Sequence, residues 1–437
     1  MSLYTTVARQ LASAVCAGRV ERVEDVVASI AWLLDDDSDW VDRLGRHLWE
    51  ALHDGRVMCN RRGLSHFLRG STLFHTIWIT QRPRIRRYPL QSPAAPLQRI
   101  ACDIPTLADP PALARWLGIG LARLDSLAGD WRQRNPCSDD RHHHYHYRLI
   151  DKPSGGIRLL EIPKSRLREI QRQIHLGILR HVPLHAACHG FRRQHSIRDY
   201  ALPHCDRSLV MHFDLSQFFN SIGSRRIHGL FTALGYGPSV ASALSAICTH
   251  RTASNIIHRL PDLDWSARRA LATPHLPQGS PASPALANLC AFRLDRRYAG
   301  LAQSLGLQYT RYADDLAFSG EQMRDAQLQR LHALVGAIAL EEGFALNMRK
   351  SRFMRRNVAQ RLAGVTVNAH PNPSRPEYDT LKAILHNCAR DGFAAQNRAG
   401  IADFRLHLRG RIAHVMHLNP KRGQRLLDAF LAIEPAS

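Results

Sequence analysis

The sequence predicts an α+β protein, with helical segments on either side of a central stretch in which short strands alternate with longer helices. Three observations predict this class. From Val20 to about Gly70 apolar residues recur at helical spacing. From about His142 to His370 short β-branched and aromatic runs alternate with helical patterns. From Tyr378 to Ser437 the pattern is helical again and rich in arginine. No internal repeat is visible.

Taken in order, "VEDVVASIAWLLDDDSDWVDRLGRHLWEALHDG" gives an N-terminal helical region, and its acidic patch Asp35 to Asp39 reads as a solvated helix end. Gln81 to Gln98, "QRPRIRRYPLQSPAAPLQ", is Pro-rich, basic and without period, as linkers are. In "ADPPALARWLGIGLARLDSLAGDW", Asp109 is an N-cap and Pro110 sits in the first turn of a helix. The tract "RHHHYHYR", Arg141 to Arg148, has four histidines but no second ligand cluster to complete a metal shell, so it reads as a strand or loop.

Composition narrows the partners. Of 437 residues, Lys and Arg number 59 against 37 Asp and Glu, a net charge of +22 spread over most of the chain. Such a field favours a polyanion, most simply nucleic acid. No apolar run is long enough to span a bilayer, and no basic amphipathic helix is long enough to lie in its surface, so a membrane is not expected. The N-terminal residues lack a charged-then-apolar signal pattern, which points to the cytoplasm. The nine cysteines never form a CxxC pair and read as reduced thiols. The length leaves room for two to four domains.

Four elements carry chemistry. "DKPSGGIRLLEIPKSRLREIQRQI", Asp151 to Ile174, is a Gly-Gly hairpin flanked by Lys152 and Arg158, able to bring two cations to a triphosphate. Its following helix offers Lys164, Arg166, Arg168 and Arg172 to backbone phosphates, although basic helix faces are often only solvated. In "RSLVMHFDLSQFFNSI" an apolar run ends on Asp214, an expensive place for an acid unless it is paired or bound to a cation. "HLPQGSPASPALANLCAFRLDRRYAG" reads as a helix opened by Gly279 and Ser280, with Pro281 and Pro284 in its first turns. Finally, "QYTRYADDLAFSG" reads as two strands joined by a tight turn over Ala313 to Asp315, which projects Asp314 and Asp315. A solvated acidic turn and a site are equally open from that segment alone. Beside Asp214, however, it would make a carboxylate cluster suited to a hard cation such as Mg²⁺. Two such ions about 4 Å apart activate a hydroxyl nucleophile and neutralise a leaving pyrophosphate.

In this order the four elements resemble the palm and fingers of reverse transcriptases, from about Tyr145 to Asn368, with a weaker likeness through a thumb-like C-terminal part. "FDLSQFF" is similar to the first catalytic strand, "LPQGSPASPALAN" to the loop and helix beside the incoming nucleotide, and "YADD" to the Y-x-D-D hairpin. The resemblance implies a right-hand polymerase. Residues 1–98 would be a helical extension with linker, 99–210 fingers-like, 211–370 palm with part of the fingers, and 371–437 a helical thumb. It implies an RNA-directed DNA polymerase working by two-metal nucleotidyl transfer, with two Mg²⁺ ions or Mn²⁺ in their place. Asp214, Asp314 and Asp315 would hold the metal, Asp214 and Asp314 chiefly. Phe219 would exclude a ribose 2′-hydroxyl, Gln278 and Gly279 would border the nucleotide, and Lys152 and Arg158 would hold its triphosphate. Lys350, in "GFALNMRKSRF", would stand near the leaving pyrophosphate.

Within the superfamily the bacterial retron type looks nearest. "HAACHGFRRQHSIRDYALPH", His185 to His204, is similar to the retron pattern of a GF segment, a Ser-Ile pair and an Ala-x-x-His. The chain departs from it with Tyr200 before Ala201 where retron enzymes usually have Asn. It departs again with Leu362-Ala363-Gly364 where they usually have Val-Thr-Gly. "LRGRIAHVMHLNPKRG" resembles the thumb helices and would offer Arg409, Arg411, Lys421 and Arg422 to an RNA stem. The resemblance implies a cognate noncoding RNA as template and primer, deoxynucleotides as substrates, RNA-linked single-stranded DNA (msDNA) as product, and an effector protein encoded nearby in antiphage defence. Alternatives are another defence-associated or group II-like bacterial reverse transcriptase, a DNA-templated or template-independent polymerase, and a catalytically inactive RNA-binding scaffold. A group II enzyme would normally continue into a maturase region, for which the stretch after Asn368 is short.

Overall fold

The computed structural model describes residues 3–17, 20, 22–58, 61–83, 103–128, 144–151, 155–260 and 263–433. Lys152, most of the Pro-rich segment and the first residues of the histidine tract lie outside them. The chain divides into two compact units, Met1–His181 with Gly223–Ala282, and Val182–Ile222 with Ser283–Ser437.

The first unit begins with helices Leu3–Ala17, Val23–Leu34, Asp39–His53, Arg61–Gly70 and Thr72–Gln81. Their apolar stripes meet in one core that includes Leu11, Val15, Ile30, Leu44, Leu48, Leu64 and Phe74. Helix therefore extends on both sides of the periodic stretch from Val20 to Gly70, within the extension expected over residues 1–98. Val7, Leu11, Ala14 and Val15 give the first helix its buried face. Gly45 lets the second and third helices approach closely, since a Cβ there would lie 2.5 Å from a Val27 methyl. Asp35 and Ser38 do flank helix ends, Asp35 as a left-handed C-cap and Ser38 as an N-cap.

Asp109 caps Pro110–Trp116 by accepting from the Ala112 amide at 2.7 Å. The single helix expected here is two, because Gly118 turns left-handed (φ 64°) before Leu121–Ala128. Strands β1 (Tyr145–Asp151) and β2 (Ile157–Pro163) form an antiparallel hairpin, followed by helix Ser165–Gly177. Leu159 of β2 packs with Ile257, Leu260 and Leu271.

The second unit is built on a four-stranded antiparallel sheet of β3 (Leu209–Asp214), β4 (Gln308–Tyr312), β5 (Asp315–Gly320) and β6 (Arg352–Arg355), in the order β4-β5-β3-β6. Phe213, Tyr298, Tyr309 and Phe318 pack edge to face or tilted at its centre. Helices Arg375–Gln396, Phe404–Leu418 and Pro420–Leu431 share a separate core of Leu381, Leu385, Leu408, Ile412, Val415, Leu426 and Phe430. Gly423 brings the last two into contact, as a Cβ there would lie 2.2 Å from the Met416 Cα. Cys16, Cys188, Cys205, Cys248, Cys290 and Cys388 are free thiols. Among the described residues no helix is long and apolar enough to cross a membrane.

Candidate active site

The β3–β5 register sets Asp214 directly opposite Asp315, and Asp315 also closes the β4–β5 hairpin against Tyr312. The turn is therefore Ala313 and Asp314, while Asp315 already belongs to a strand. Ala313 takes a left-handed conformation (φ 56°), uncommon for a residue with a Cβ. The backbone ties the parts together. The Leu215 amide donates to the Asp314 carbonyl at 2.9 Å, and the Asn347 amide to the Asp214 carbonyl at 2.7 Å.

The three carboxylates differ. Asp214 is buried, and its Oδ2 accepts from Lys350 Nζ at 2.9 Å. Asp315 Oδ1 is 2.6 Å from His212 Nε2 on β3. Asp314 stands on the turn with its pKa pushed up to about 6, first by burial, then by the negative charges of Asp315 and Asp214, with Lys350 partly offsetting them. The Lys350 ammonium is correspondingly held above its ordinary range by its hydrogen bond to Asp214 and the surrounding acids. Among the described residues no three His, Cys, Asp or Glu side chains converge closely enough to enclose a metal ion. The chemistry of the donor set nonetheless fits a hard divalent cation. It is oxygen-only, and it accumulates negative charge that raises Asp314 and draws the Lys350 ammonium to Asp214.

Phe219 follows Asp214 on the turns after β3. It is half-buried against Phe191 and Phe218, with ring centroids 6.2 and 5.6 Å away. Arg409 is exposed and Arg411 half-buried on one C-terminal helix; on the next, Lys421 is exposed and Arg422 lies 5.1 Å over the Tyr378 ring.

The remaining expected residues belong to the first unit. Arg158 is exposed on β2, and Lys152 lies outside the described residues. Gln278 is half-buried, and its carbonyl accepts from the Glu161 amide of β2 at 2.9 Å. Gly279 (φ 137°) passes so close to β2 that a Cβ would lie 2.8 Å from the Glu161 carbonyl oxygen. The expected helix start at Gly279 and Ser280 is corrected: the helix runs from Ser283 to Cys290. Gly279 is not in helical conformation, and the Ser280 hydroxyl is turned to Gln171 at 2.8 Å. On helix Ser165–Gly177, Arg168 and Arg172 are exposed, with Lys164 as N-cap, while Arg166 is engaged with Glu169 and the Gly118 carbonyl.

Several buried polar residues near these elements escaped the sequence reading. Glu161 accepts from Thr252 Oγ1 at 2.6 Å and lies 2.9 Å from His275 Nε2. Burial alone would raise the Glu161 carboxyl, but His275, His250 and Thr252 hold it below its ordinary range. Arg311 on β4 pairs with Asp295, both fully buried. The signal was present for Arg311, a charge in a strand of mostly buried neighbours, which is the argument that singled out Asp214.

A family profile described as "Reverse transcriptase (RNA-dependent DNA polymerase)" matches residues 150–375, more than half of the chain. The chain is 41% identical over 288 residues to the retron Mx65 reverse transcriptase of Myxococcus xanthus, covering 66% of this chain and 64% of that protein. It is 30% identical over 344 residues to the retron Mx162 reverse transcriptase of the same organism, covering 74% and 66%. Against the retron Ec86 reverse transcriptase of Escherichia coli it is 26% identical over 297 residues, covering 66% and 82%. The chain thus spans just under two thirds of the length of the two Myxococcus relatives. Its α+β fold is of the right-hand polymerase class, preceded by N-terminal helices. The chain belongs to the reverse transcriptase family, as one of its bacterial retron-type members.

Proposed function

We propose that this protein is an RNA-directed DNA polymerase that extends a primer by nucleotidyl transfer, with Asp214, Asp314 and Asp315 as its catalytic acids. The observation that carries the reading is the pairing of Asp214 with Asp315 across β3 and β5, with Asp314 on the adjoining turn, its carboxyl raised by burial and by the other two charges. In this reading Asp214 and Asp314 are the principal metal ligands. Asp315, tied to His212, supports them. Mg²⁺ ions, or Mn²⁺, would supply Lewis-acid activation of the primer 3′-hydroxyl and charge neutralisation on the phosphates. Lys350, beside Asp214, would stand near the leaving pyrophosphate. Phe219 selects deoxyribose, Gln278 and Gly279 border the nucleotide, and Lys152 and Arg158 hold its triphosphate.

The nucleic acid is, in the same proposal, a cognate noncoding RNA serving as template and primer. The net charge of +22 supports it, together with Lys164, Arg168, Arg172, Arg409, Arg411, Lys421 and Arg422. Likeness to the retron enzymes supports RNA-linked msDNA as product and a role in antiphage defence beside an effector protein. Residues 1–98 are assigned to a helical extension with linker, 99–210 to a fingers-like region, 211–370 to the palm with part of the fingers, and 371–437 to a helical thumb.

Primer extension on an RNA template tests the reading. Asp314→Asn and Asp214→Asn are each expected to lower the rate at least ~10³-fold, the several kcal/mol that charge stabilisation by bound metal supplies, while RNA binding persists. Undiminished extension by either variant would refute the assignment. Sequencing of nucleic acid copurified with the protein, with and without RNase, tests the product: RNA-linked single-stranded DNA is expected, and unlinked or repetitive DNA would favour another defence class.

A further inference from the structure

The two Nη1 protons of Arg311 go to different places. One bonds Asn288 Oδ1 at 2.9 Å; the other bonds the carbonyl of Ala313 at 3.0 Å, in the turn between Tyr312 and Asp314. The rest of the guanidinium is engaged by Asp295, with Nε on Oδ1 and Nη2 on Oδ2, both at 2.7 Å. Tyr309 also donates to Asp295, at 2.9 Å. Asn288 extends the network by donating Nδ2 to the Gly190 carbonyl at 2.8 Å. Gly190 in turn packs so tightly on the turn that a Cβ there would lie 2.5 Å from the Ala313 nitrogen. The two peptide groups that flank the Ala313 Cα are thus both restrained, the one after it at its oxygen by the guanidinium and the one before it by the close approach of Gly190.

This arrangement is costly as a way of filling space. Arg311 is 0% exposed and the Asp295 side chain 1%. Burying such a pair gains little over well-packed apolar side chains of similar volume, so core filling alone does not account for it. An apolar pair could not donate to the Ala313 carbonyl, and a lysine, with three donors and no planar fork, could not make the four bonds that Arg311 makes to Asp295, Asn288 and Ala313. Ala313 needs such a restraint, because its left-handed backbone is disfavoured for alanine.

We propose that Arg311, oriented by Asp295 and Asn288, is a positioning residue that locks the strained Ala313 peptide and so aims the Asp314 carboxylate. The inference rests on the reading of Asp314 as a metal ligand. Arg311, Asp295 and Asn288 are all buried and bear on the turn from within the fold, so their loss is expected to fall on metal placement and turnover, with nucleotide affinity spared.

The test compares Arg311→Met/Asp295→Leu with wild type, because the double change removes both buried charges together. Three quantities are read: the thermal midpoint, Mn²⁺ binding by electron paramagnetic resonance without nucleic acid, and kcat and dNTP KM in primer extension. A midpoint near wild type, Mn²⁺ binding weakened several-fold, and kcat lowered roughly 10–100-fold with KM within about twofold are expected, as for a displaced reacting group. Asn288→Leu keeps the ion pair but removes the link to Gly190, and it covers the case in which the double variant does not fold. It is expected to show the same pattern at smaller amplitude. A folded double variant, or a folded Asn288→Leu, with wild-type Mn²⁺ affinity and kcat would overturn the proposal. If wild type binds Mn²⁺ but extends no primer, the polymerase reading fails, while the loss of Mn²⁺ binding in the variants still supports the role of Arg311.

Discussion

His204 shows how the histidine of the Ala-x-x-His pattern serves the fold. It is fully buried, with Nδ1 2.7 Å from Ser319 Oγ on β5 and Nε2 2.7 Å from Thr310 Oγ1 on β4. Thr310 spends its one proton on the Tyr200 carbonyl, so Nε2 carries the imidazole hydrogen and Nδ1 accepts from Ser319. A second proton on the ring would strand the Ser319 hydroxyl, and burial pushes the His204 pKa down to about 3, with Arg207 and His189 adding to it. The unfolded chain binds that proton near pH 6.5. His204 therefore contributes its full stability above pH 6.5 and loses it as pH falls, by up to about 1.4 kcal/mol per unit. Denaturation midpoints of wild type and His204→Gln are expected to converge between pH 7 and 5; a constant gap would mean that the ring is not held neutral. Phe219 makes a sharper functional claim at the same scale. Phe219→Ala is expected to narrow discrimination between deoxynucleotides and ribonucleotides at least tenfold in kcat/KM, and unchanged selectivity would remove it as the gate.

At the scale of elements, the loop Gln278–Gly279 is shaped by its fit to β2. Gly279 combines a φ of 137° with a near contact to the Glu161 carbonyl, so any Cβ must displace backbone. Gly279→Ala is expected to cost about 1–3 kcal/mol of local strain and to raise dNTP KM several-fold with a smaller change in kcat. Unchanged kinetics would separate this loop from nucleotide binding. The same loop marks where sequence pattern stops being informative. The strand ending on Asp214 and the hairpin bearing Asp314 were legible because alternation, an apolar run and a two-residue turn are local signals. The helix start at Ser283 was not: the Ser280 hydroxyl donates to Gln171, a residue distant in sequence, while it accepts from the Ala282 amide. Glu161 and His275 met only on folding, and neither segment announces the other. The Leu3–Ala17 helix lies inside the expected helical extension but gave no periodic signal of its own, because much of its buried face consists of small residues, Ala8, Ala12 and Ala14, which weaken the apolar contrast that marks an amphipathic helix.

At the scale of the whole molecule the dominant quantity is charge. A net +22 draws a polyanion regardless of sequence, and each phosphate neutralised releases counterions, so affinity must fall with salt. Not every basic residue can contribute equally. Arg311 is sealed in an ion pair, Arg297 is engaged with Glu341 and Glu342, and Arg166 with Glu169 and a carbonyl. Arg409 and Lys421 are exposed, whereas Arg422 lies against Tyr378 and is half-buried. The salt dependence of RNA binding therefore separates them. Arg409→Ala and Lys421→Ala are each expected to reduce the magnitude of the slope of log K against log salt by about 0.7–0.9, with little change in thermal midpoint. Arg422→Ala is expected to lower the midpoint as well, because it removes a cation from an aromatic face inside the C-terminal helical group. A slope unchanged in both Arg409→Ala and Lys421→Ala would take these two helices out of the RNA interface and leave the field to the basic helix Ser165–Gly177, where Arg168→Ala and Arg172→Ala must then carry the loss.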